Sequence, residues 1–360
     1  MTTSTQSVFK KFSEVIFKVP KKISLHVSLM IMSTERKNYA AMARSTGVNY
    51  RLAYIKKENV DEYLEESMKY LHSTIKNIAT KANPGYLILD FTLLFKPFSE
   101  QIPSVTYDYD GISKRVNKGF SIALVLWSNG SVTIPFDFSY WLRKKDAGEL
   151  YVKKTDIVKK LIKLAQQYGI PFKEVRLDGA FATEDVLTFL LIERIHFTMR
   201  IAMNRVVSSE DGEYQLVQHP KLKMLRNEKF KTIRANYKGL PLYFTAHKRN
   251  GKKGTKEVVF IVSDLPRSPK EHVKAYDGRW PVEKCIRTKK QSLGFTHCQS
   301  TNPDKQRFHI FAVMVSYTVL QLMKFDQKEE SVEEVLHSIR RQKKIDTLFE
   351  YIDLEQTVMS

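Results

Sequence analysis

The 360-residue sequence predicts an α/β fold in which a mixed sheet is flanked by helices. Three observations predict this class. Short β-rich runs alternate with helical segments after residue 83, Asn129-Gly130 separates two β-rich runs, and residues 155–168 carry apolar side chains at helical spacing. Residues 1 to about 82 have a helical pattern throughout, so we expect a separate helical region before the sheet.

The predicted strands and helices follow in a fixed order. Asn83-Pro84-Gly85 interrupts the helical pattern, and an apolar run then ends at Asp90. The predicted strands cover residues 86–90, 120–127, 132–138, 172–177 and 196–202, and the predicted helices cover residues 155–168 and 183–195. Asp178 directly follows the fourth strand. A Lys-rich segment, residues 205–271, contains three further β-rich runs and precedes a last helix that begins at Pro281.

These patterns divide the chain into three regions. We expect a helical N-terminal region at residues 1–82 and a catalytic domain at residues 83–325 that contains a β-rich insertion at 205–271. We expect a charged helical tail at residues 326–360.

The charge of the chain is unusual. The sequence has 59 Lys and Arg against 39 Asp and Glu, which leaves a formal net charge of +20. Such an excess indicates a polyanionic partner, either nucleic acid or an anionic membrane surface, and nucleic acid is favoured. A surface that is merely solubilising is the alternative.

Cysteine content and hydropathy bear on the compartment. Cys285 and Cys298 are too few for a disulfide framework or a zinc site, which favours a reducing compartment. The longest apolar run, Phe308 to Met323, is interrupted by polar residues and is shorter than a membrane span, so we expect a buried core helix. We expect no signal peptide, no membrane partner and a cytoplasmic location.

Residues 39–51 have the pattern of a helix-turn-helix. Small and apolar residues precede Gly47, and polar or basic residues follow it. In that interpretation Arg44, Asn49 and Arg51 face DNA, whereas an ordinary helical hairpin is the alternative.

The segment from Tyr276 to Lys290 is the most informative in the chain. Around Glu283 it places Tyr276, Arg279 and Lys290 at offsets of −7, −4 and +7. On a helix Glu283, Arg287 and Lys290 share one stripe, and Val282, Ile286 and Leu293 form an apolar stripe. A carboxylate within a basic face suits a metal ligand held beside phosphate groups, although Glu283 could instead form an ordinary pair with Arg287.

The spacing Tyr-x2-Arg-x3-Glu-x6-Lys, with Trp280 after the Arg, resembles the signature of a group of insertion-sequence DDE transposases. The order of strands and helices likewise resembles a ribonuclease H-like fold. The resemblance covers about residues 85–325, and it implies that Asp90, Asp178 and Glu283 are the three catalytic acids. It also implies that Arg279 and Lys290 contact phosphates near the cleaved end and that Tyr276 positions the terminal nucleotide.

The acids also have an interpretation in chemical terms. Three carboxylates from separate elements that converge at one sheet edge can hold two Mg²⁺ ions, or Mn²⁺ in their place, for phosphodiester cleavage. Asp90 could be only a sheet-edge residue, and Asp178 only a turn-former before a helix. The resemblance implies cut-and-paste transposition by way of a DNA hairpin. Its partners would be the inverted-repeat ends of the element and a target duplex, and a homodimer would form on the DNA.

Two other functions remain open. One is a catalytically silent DNA-binding descendant, and the other is a ribonuclease H-like nuclease that acts on junctions or RNA–DNA hybrids. A methyltransferase or nucleotide-sugar enzyme is disfavoured, because no Gly-rich phosphate loop follows the first strand. The sequence departs from the family in two places. Phe91 stands where relatives often have an acid or Gly, and the insertion has no Trp, so Tyr237, Tyr243 or Phe244 would have to stack on a flipped base.

Overall fold

The computed structural model describes residues 3–111, 113–251, 255–327, 329 and 331–342. The chain divides into two compact units. The first unit comprises residues 1–80, 91–152 and 283–360, and the second comprises residues 81–90 and 153–282. Both units include helices and strands.

The strands span residues from Tyr86 to Ser263. They are β1 (Tyr86–Phe95), β2 (Thr106–Asp110), β3 (Arg115–Ser128), β4 (Thr133–Trp141), β5 (Glu174–Leu177), β6 (His196–Ile201), β7 (Val206–Ser209), β8 (Gly212–Gln215), β9 (Phe230–Tyr237), β10 (Leu240–Asn250) and β11 (Lys256–Ser263).

Helices occupy both ends of the chain and the connections between strands. They are α1 (Thr3–Ile16), α2 (Lys21–Met32), α3 (Tyr39–Thr46), α4 (Tyr50–Ala53), α5 (Val60–Ile78), α6 (Lys144–Ala147), α7 (Lys154–Gln167), α8 (Glu184–Ile192), α9 (Pro269–Asp277), α10 (Pro281–Gln291), α11 (Pro303–Gln327) and α12 (Val332–Gln342).

The second unit contains an extended sheet. Its strand order is β1-β5-β6-β11-β10-β9-β7-β8, with the first half of β1 at one edge. β1, β5 and β6 are parallel, whereas β11 joins β6 in the antiparallel direction. All four residues of β5 are buried, as expected for a parallel strand covered on both faces. The basic segment 205–271 supplies strands β7 to β11, and β11 pairs directly with β6.

The first unit combines a smaller group of strands with a helical layer. β3 pairs with β2, with β4 and with β1, which contributes its second half to this unit. The predicted Asn-Gly turn joins β3 to β4. The Asn129 side-chain oxygen accepts hydrogen bonds from the Ser131 and Val132 amides, and Gly130 adopts a φ of +97°.

Helix α11 forms the core of the first unit. It packs against α1, α2, α5, α12 and β4, and its side chains from Phe308 to Gln321 are buried. The helix is long and apolar enough to cross a membrane, but 83% of its most apolar window is buried inside the fold. The prediction of a core helix is confirmed.

The observed elements confirm the predicted fold class. The structure is a mixed α/β fold with a large mixed sheet flanked by helices, and it is consistent with a ribonuclease H-like fold. Strands β2, β7 and β8 and helix α9 were not predicted. A capping box starts α9, since Ser268 and Glu271 satisfy each other's backbone amides.

Two local predictions are wrong. β1 continues to Phe95, so Asp90 lies in the middle of the strand and not at its end, because Thr92, Leu93 and Leu94 extend the β pattern past the acid. The second helix of the proposed helix-turn-helix, α4, is a single turn. It stops where Tyr54 takes extended backbone, and Lys305 holds the Tyr54 hydroxyl at 2.7 Å. Part of the predicted tail is helix α12, and residues 343–360 lie outside the described residues.

A buried charged cluster ties β5 and β6 to the segment before α9. The Glu174 carboxylate is fully buried, accepts hydrogen bonds from Arg267 at 2.7 and 3.2 Å, and pairs with Arg176 at 3.2 Å. Burial alone would raise the pKa of Glu174, but the hydrogen bond from Arg267 and the charge of Arg176 hold that pKa below its usual value. A carboxyl whose pKa is lowered in the fold stabilises it above the unfolded pKa, and this contribution is lost as pH falls through the folded pKa.

We predict that Glu174→Gln lowers the free energy of unfolding by about 3 kcal/mol at pH 7, because it leaves two arginines without their buried counter-charge. The deficit should shrink at pH 3, which lies below the ordinary pKa of a glutamate, because the carboxyl of the unfolded chain is then protonated and the stabilisation by the charged form declines. Urea unfolding at both pH values measures the difference. Glu257→Gln removes an exposed pair with Arg249 and serves as the control, with an expected change below about 0.5 kcal/mol. Equal losses at pH 7 and pH 3 would contradict the assigned role of the charge.

Candidate active site

Two of the predicted acids are brought together by the parallel pairing of β1 and β5. The register aligns Leu87 with Val175 and Leu89 with Leu177. One residue further along, Asp90 is level with Asp178, which directly follows β5. Neighbouring strands lie about 4.8 Å apart, so the register places these two acids side by side.

Arg279 forms an ion pair with the first of these acids. Its guanidinium donates to the Asp90 carboxylate at 2.9 Å, with the Arg279 side chain 11% exposed and that of Asp90 24% exposed. Burial alone would lower the pKa of Arg279, but the charges of Asp90, Tyr276 and Asp178 raise it. The guanidinium therefore stays charged and offsets the negative charge of both acids.

Tyr276 belongs to the same group of side chains. It is half-buried near the end of α9, and burial raises the pKa of its hydroxyl. The Asp178 charge acts in the same direction, whereas the Arg279 charge opposes it. Asp90, Asp178, Tyr276 and Arg279, which we call the acid–arginine cluster, thus all belong to the second unit.

Residue 278, next to this cluster, is a glycine because the Arg176 side chain occupies the space that a Cβ atom would need. Its φ of −61° is open to any residue, but a Cβ atom there would lie 1.8 Å from an Arg176 nitrogen. The Arg176 guanidinium also stacks 3.4 Å from the centre of the Tyr86 ring. The turn that carries Tyr276 and Arg279 is therefore packed directly on the strand that precedes Asp178.

The remaining residues of the Glu283 signature lie on or just before α10. Glu283 is the third residue of the helix, is half-buried and belongs to the first unit. Arg287 is exposed, as is Trp280 just before the helix. Burial lowers the pKa of Lys290, while the Asp110 charge opposes that shift. Helix α10 begins at Pro281 as predicted but ends at Gln291, so Leu293, which was predicted to belong to its apolar stripe, lies beyond the end of the helix.

The predicted N-terminal DNA contacts lie around a one-turn helix. Arg44 is in the last turn of α3 and pairs with Glu35 at 3.2 Å. The Asn49 side chain caps α4 by accepting the Arg51 amide at 2.9 Å. Asn49 therefore has a structural role, and DNA contact by these three residues stays a prediction.

A site for a metal ion requires a group of side chains that can bind the ion together. Within the described residues, His, Cys, Asp and Glu side chains form no group of three or more that could hold an ion. The donor chemistry of Asp90 and Asp178 nevertheless fits Mg²⁺, which prefers carboxylate oxygens. Arg279 supplies the positive charge beside them in this structure.

Residues 152–319 match the family model for the transposase DDE domain. The matched segment contains Asp178, Tyr276, Arg279, Glu283 and Lys290. Asp90 lies outside the matched segment. Its place in the candidate site therefore depends on the pairing of strands β1 and β5, which brings it level with Asp178, and on its ion pair with Arg279.

Other comparisons add little. No curated protein matches the chain. One similar solved structure is that of Kluyveromyces polysporus Argonaute with a guide RNA, at 12% sequence identity and a TM-score of 0.23. The similarity covers 78% of this chain and 34% of Argonaute, so the chain spans about a third of that protein. A similarity this low supports no functional argument.

Sequence reasoning missed two residues that shape the cluster, Arg176 and Gly278. Arg176 stands two residues before Asp178, and Gly278 directly precedes Arg279. A glycine between an aromatic and an arginine at a helix end was the available signal. The need for glycine at this position comes from Arg176 on β5, and only the folded structure shows that Arg176 lies against Gly278.

We predict that Gly278→Ala destabilises the protein by about 1–3 kcal/mol, because Arg176 must leave its position between Tyr86 and the turn. Thermal unfolding measures the loss. Gly111→Ala is the matched control, since a Cβ at Gly111 meets no atom within 4 Å. In an Arg176→Ala background the cost of Gly278→Ala should fall sharply. An unchanged cost there would show that Arg176 is not the obstacle.

Proposed function

We propose that this chain is a DNA transposase that cleaves the ends of its own element and joins them to target DNA. The observation that carries the proposal is the acid–arginine cluster, in which the register aligns Asp90 with Asp178 and Arg279 pairs with Asp90. The match of residues 152–319 to the transposase DDE domain supports the same chemistry.

Asp90, Asp178 and Glu283 are the proposed metal-binding acids. Two Mg²⁺ ions, or Mn²⁺ in their place, would when bound supply positive charge beside the scissile phosphate. Glu283 is included because it occupies the Glu position of the Tyr-Arg-Glu-Lys spacing and lies in the first turn of α10.

The basic and aromatic residues of the signature would hold the DNA. Arg279 lies beside both acids and stays charged, so it is suited to bind a phosphate oxygen at the cleaved end. Tyr276 would restrain the terminal nucleotide, and Lys290 would bind a neighbouring phosphate. Trp280 and Arg287 are exposed next to these residues in sequence and are proposed further DNA contacts.

The proposed reaction has two kinds of step. Water attacks a phosphorus at the element end, a new P–O bond forms, the P–O3′ bond breaks, and the products are a 3′-OH and a 5′-phosphate. The 3′-OH then attacks the opposite strand, which breaks one P–O bond there and closes a hairpin. Hydrolysis reopens the hairpin, and the 3′-OH attacks target DNA. In each step the nucleophile loses a proton and the leaving oxygen gains one.

End recognition is assigned to the helical region at residues 1–82. Arg44, Asn49 and Arg51 remain the proposed contacts, although the single turn of α4 cannot act as a full recognition helix. Paired element ends favour a homodimer in the DNA complex. Such a reaction on chromosomal DNA is consistent with a cytoplasmic, nucleoid-associated protein.

We predict that Asp178→Asn reduces cleavage of a linear duplex carrying the sequences that flank the gene by at least about a hundredfold. The amide supplies neither the charge nor the second oxygen that a divalent ion needs, and several kcal/mol of charge stabilisation would be lost. DNA binding, measured by gel shift, should stay within a few-fold. A denaturing gel should show nicked and hairpin products from wild-type protein with Mg²⁺ or Mn²⁺ and none in excess EDTA.

Asp185→Asn is the matched control. Asp185 pairs with Lys159 on the surface near the start of α8, so this variant should cleave normally. Cleavage that persists in EDTA, or that Asp185→Asn impairs as strongly, would contradict the proposal. DNA binding by wild-type protein with no cleavage in either metal would instead indicate a catalytically silent descendant.

A further inference from the structure

A basic pocket lies within the first unit, where α10 ends. The open pocket of about 600 Å³ lies between the segment after α2, the end of α10 and α12. Its positive side chains are Arg36, Lys37 and Arg340, and His297 also lines it. We call these four residues the basic pocket.

Two of the three cations of the basic pocket, Lys37 and Arg340, donate to main-chain carbonyls. Lys37 is 97% buried, and its ammonium donates to the Ser33 carbonyl. Arg340 donates to the Ile31 carbonyl at 3.0 Å and to the Ser292 carbonyl at 2.8 Å. These carbonyls stand at the C-terminal ends of α2 and α10, so both side chains cap helix ends.

Helix ends alone do not balance this charge. A helix C-terminus carries about half a negative charge, so two of them offset about one unit of positive charge, and the guanidinium groups of Arg36 and Arg340 alone supply two. Glu35 is the one carboxylate that lines the pocket within the described part of the chain, and it already pairs with Arg44 at 3.2 Å. A positive excess therefore remains at the pocket.

The titration behaviour of the pocket is consistent with this excess. Burial and the Arg340 charge lower the pKa of Lys37 to about 7. Burial and the charges of Arg36, Lys37 and Lys96 lower the pKa of His297. The His297 Nδ1 accepts the Lys37 amide at 3.0 Å, so in the neutral ring Nε2 carries the proton and can donate.

We infer that the basic pocket binds a phosphate group of the DNA backbone, as a docking contact separate from the acid–arginine cluster. The inference rests on the proposed function, because an acidic protein could also satisfy a positive pocket. DNA is favoured by the net charge of +20, which a polyanion with regularly spaced phosphates matches. Arg36 is exposed at the pocket and would make the first contact.

The test measures binding of a fluorescein-labelled duplex to the full chain by anisotropy, in EDTA and at several KCl concentrations. Arg36→Gln should weaken binding about fivefold to tenfold. It should also reduce the slope of log affinity against log salt by about one, which corresponds to the loss of one phosphate contact. Gln291→Glu adds a negative charge at the exposed lining without removing a cation, and should weaken binding by a similar factor.

Arg194→Gln is the matched control, since it removes one exposed guanidinium from the end of α8 in the second unit. Its effects on DNA affinity and on the salt slope should both be smaller than those of Arg36→Gln. Thermal unfolding of each variant verifies that the fold is intact.

Three results would overturn the inference. Wild-type affinity and slope in both Arg36→Gln and Gln291→Glu would show that DNA does not contact the pocket, with the proposed transposase function untouched. Inorganic phosphate that raises the melting temperature of wild type but not of Arg36→Gln, with DNA affinity unchanged, would assign the pocket to free phosphate. No DNA binding by wild type at any salt concentration would reject the proposed function as well.

Discussion

The parallel pairing of β1 with β5 is the constraint on which the candidate site depends. One residue beyond the last register pair, Leu89 with Leu177, it brings Asp90 level with Asp178, and two like charges on neighbouring strands repel each other. The Arg279 guanidinium, 2.9 Å from the Asp90 carboxylate, supplies the opposite charge and offsets that repulsion. The ion pair with Arg279 therefore compensates the negative charge that β1 and β5 bring together in this structure.

Arg279 is itself held by the packing around it. The buried Glu174 carboxylate pairs with Arg176 and Arg267, Arg176 stacks on Tyr86, and Gly278 packs on Arg176. Strand β5 thus positions Asp178 directly and the Tyr276–Arg279 turn indirectly. A shift of β5 would move Asp178 and the Tyr276–Arg279 turn together. The packing of Glu174 and Arg176 therefore helps to fix the geometry of the cluster.

Local patterns in the sequence were sufficient for much of this structure. The Asn129-Gly130 hairpin, the start of α10 at Pro281 and the burial of α11 follow from turn chemistry, fixed proline φ and apolar content. The extension of β1 past Asp90 follows from the β pattern of Thr92, Leu93 and Leu94, which the prediction overlooked. The shortness of α4, in contrast, goes with a contact between Lys305 and Tyr54, which are 251 positions apart, so no local pattern shows it. The same holds for Gly278, whose requirement comes from Arg176, and for the basic pocket, whose residues are up to 304 positions apart between Arg36 and Arg340.

The most direct test of the central claim replaces Mg²⁺ by Fe²⁺ in the full chain with its DNA and adds ascorbate and peroxide. Hydroxyl radicals formed at the bound iron cut the polypeptide close to its ligands, and mass spectrometry locates the cuts. We predict cuts beside Asp90, Asp178 and Glu283 that excess Mg²⁺ suppresses and Asp178→Asn removes. Cuts confined to other segments, or cuts beside these acids that persist in Asp178→Asn, would contradict a shared metal site.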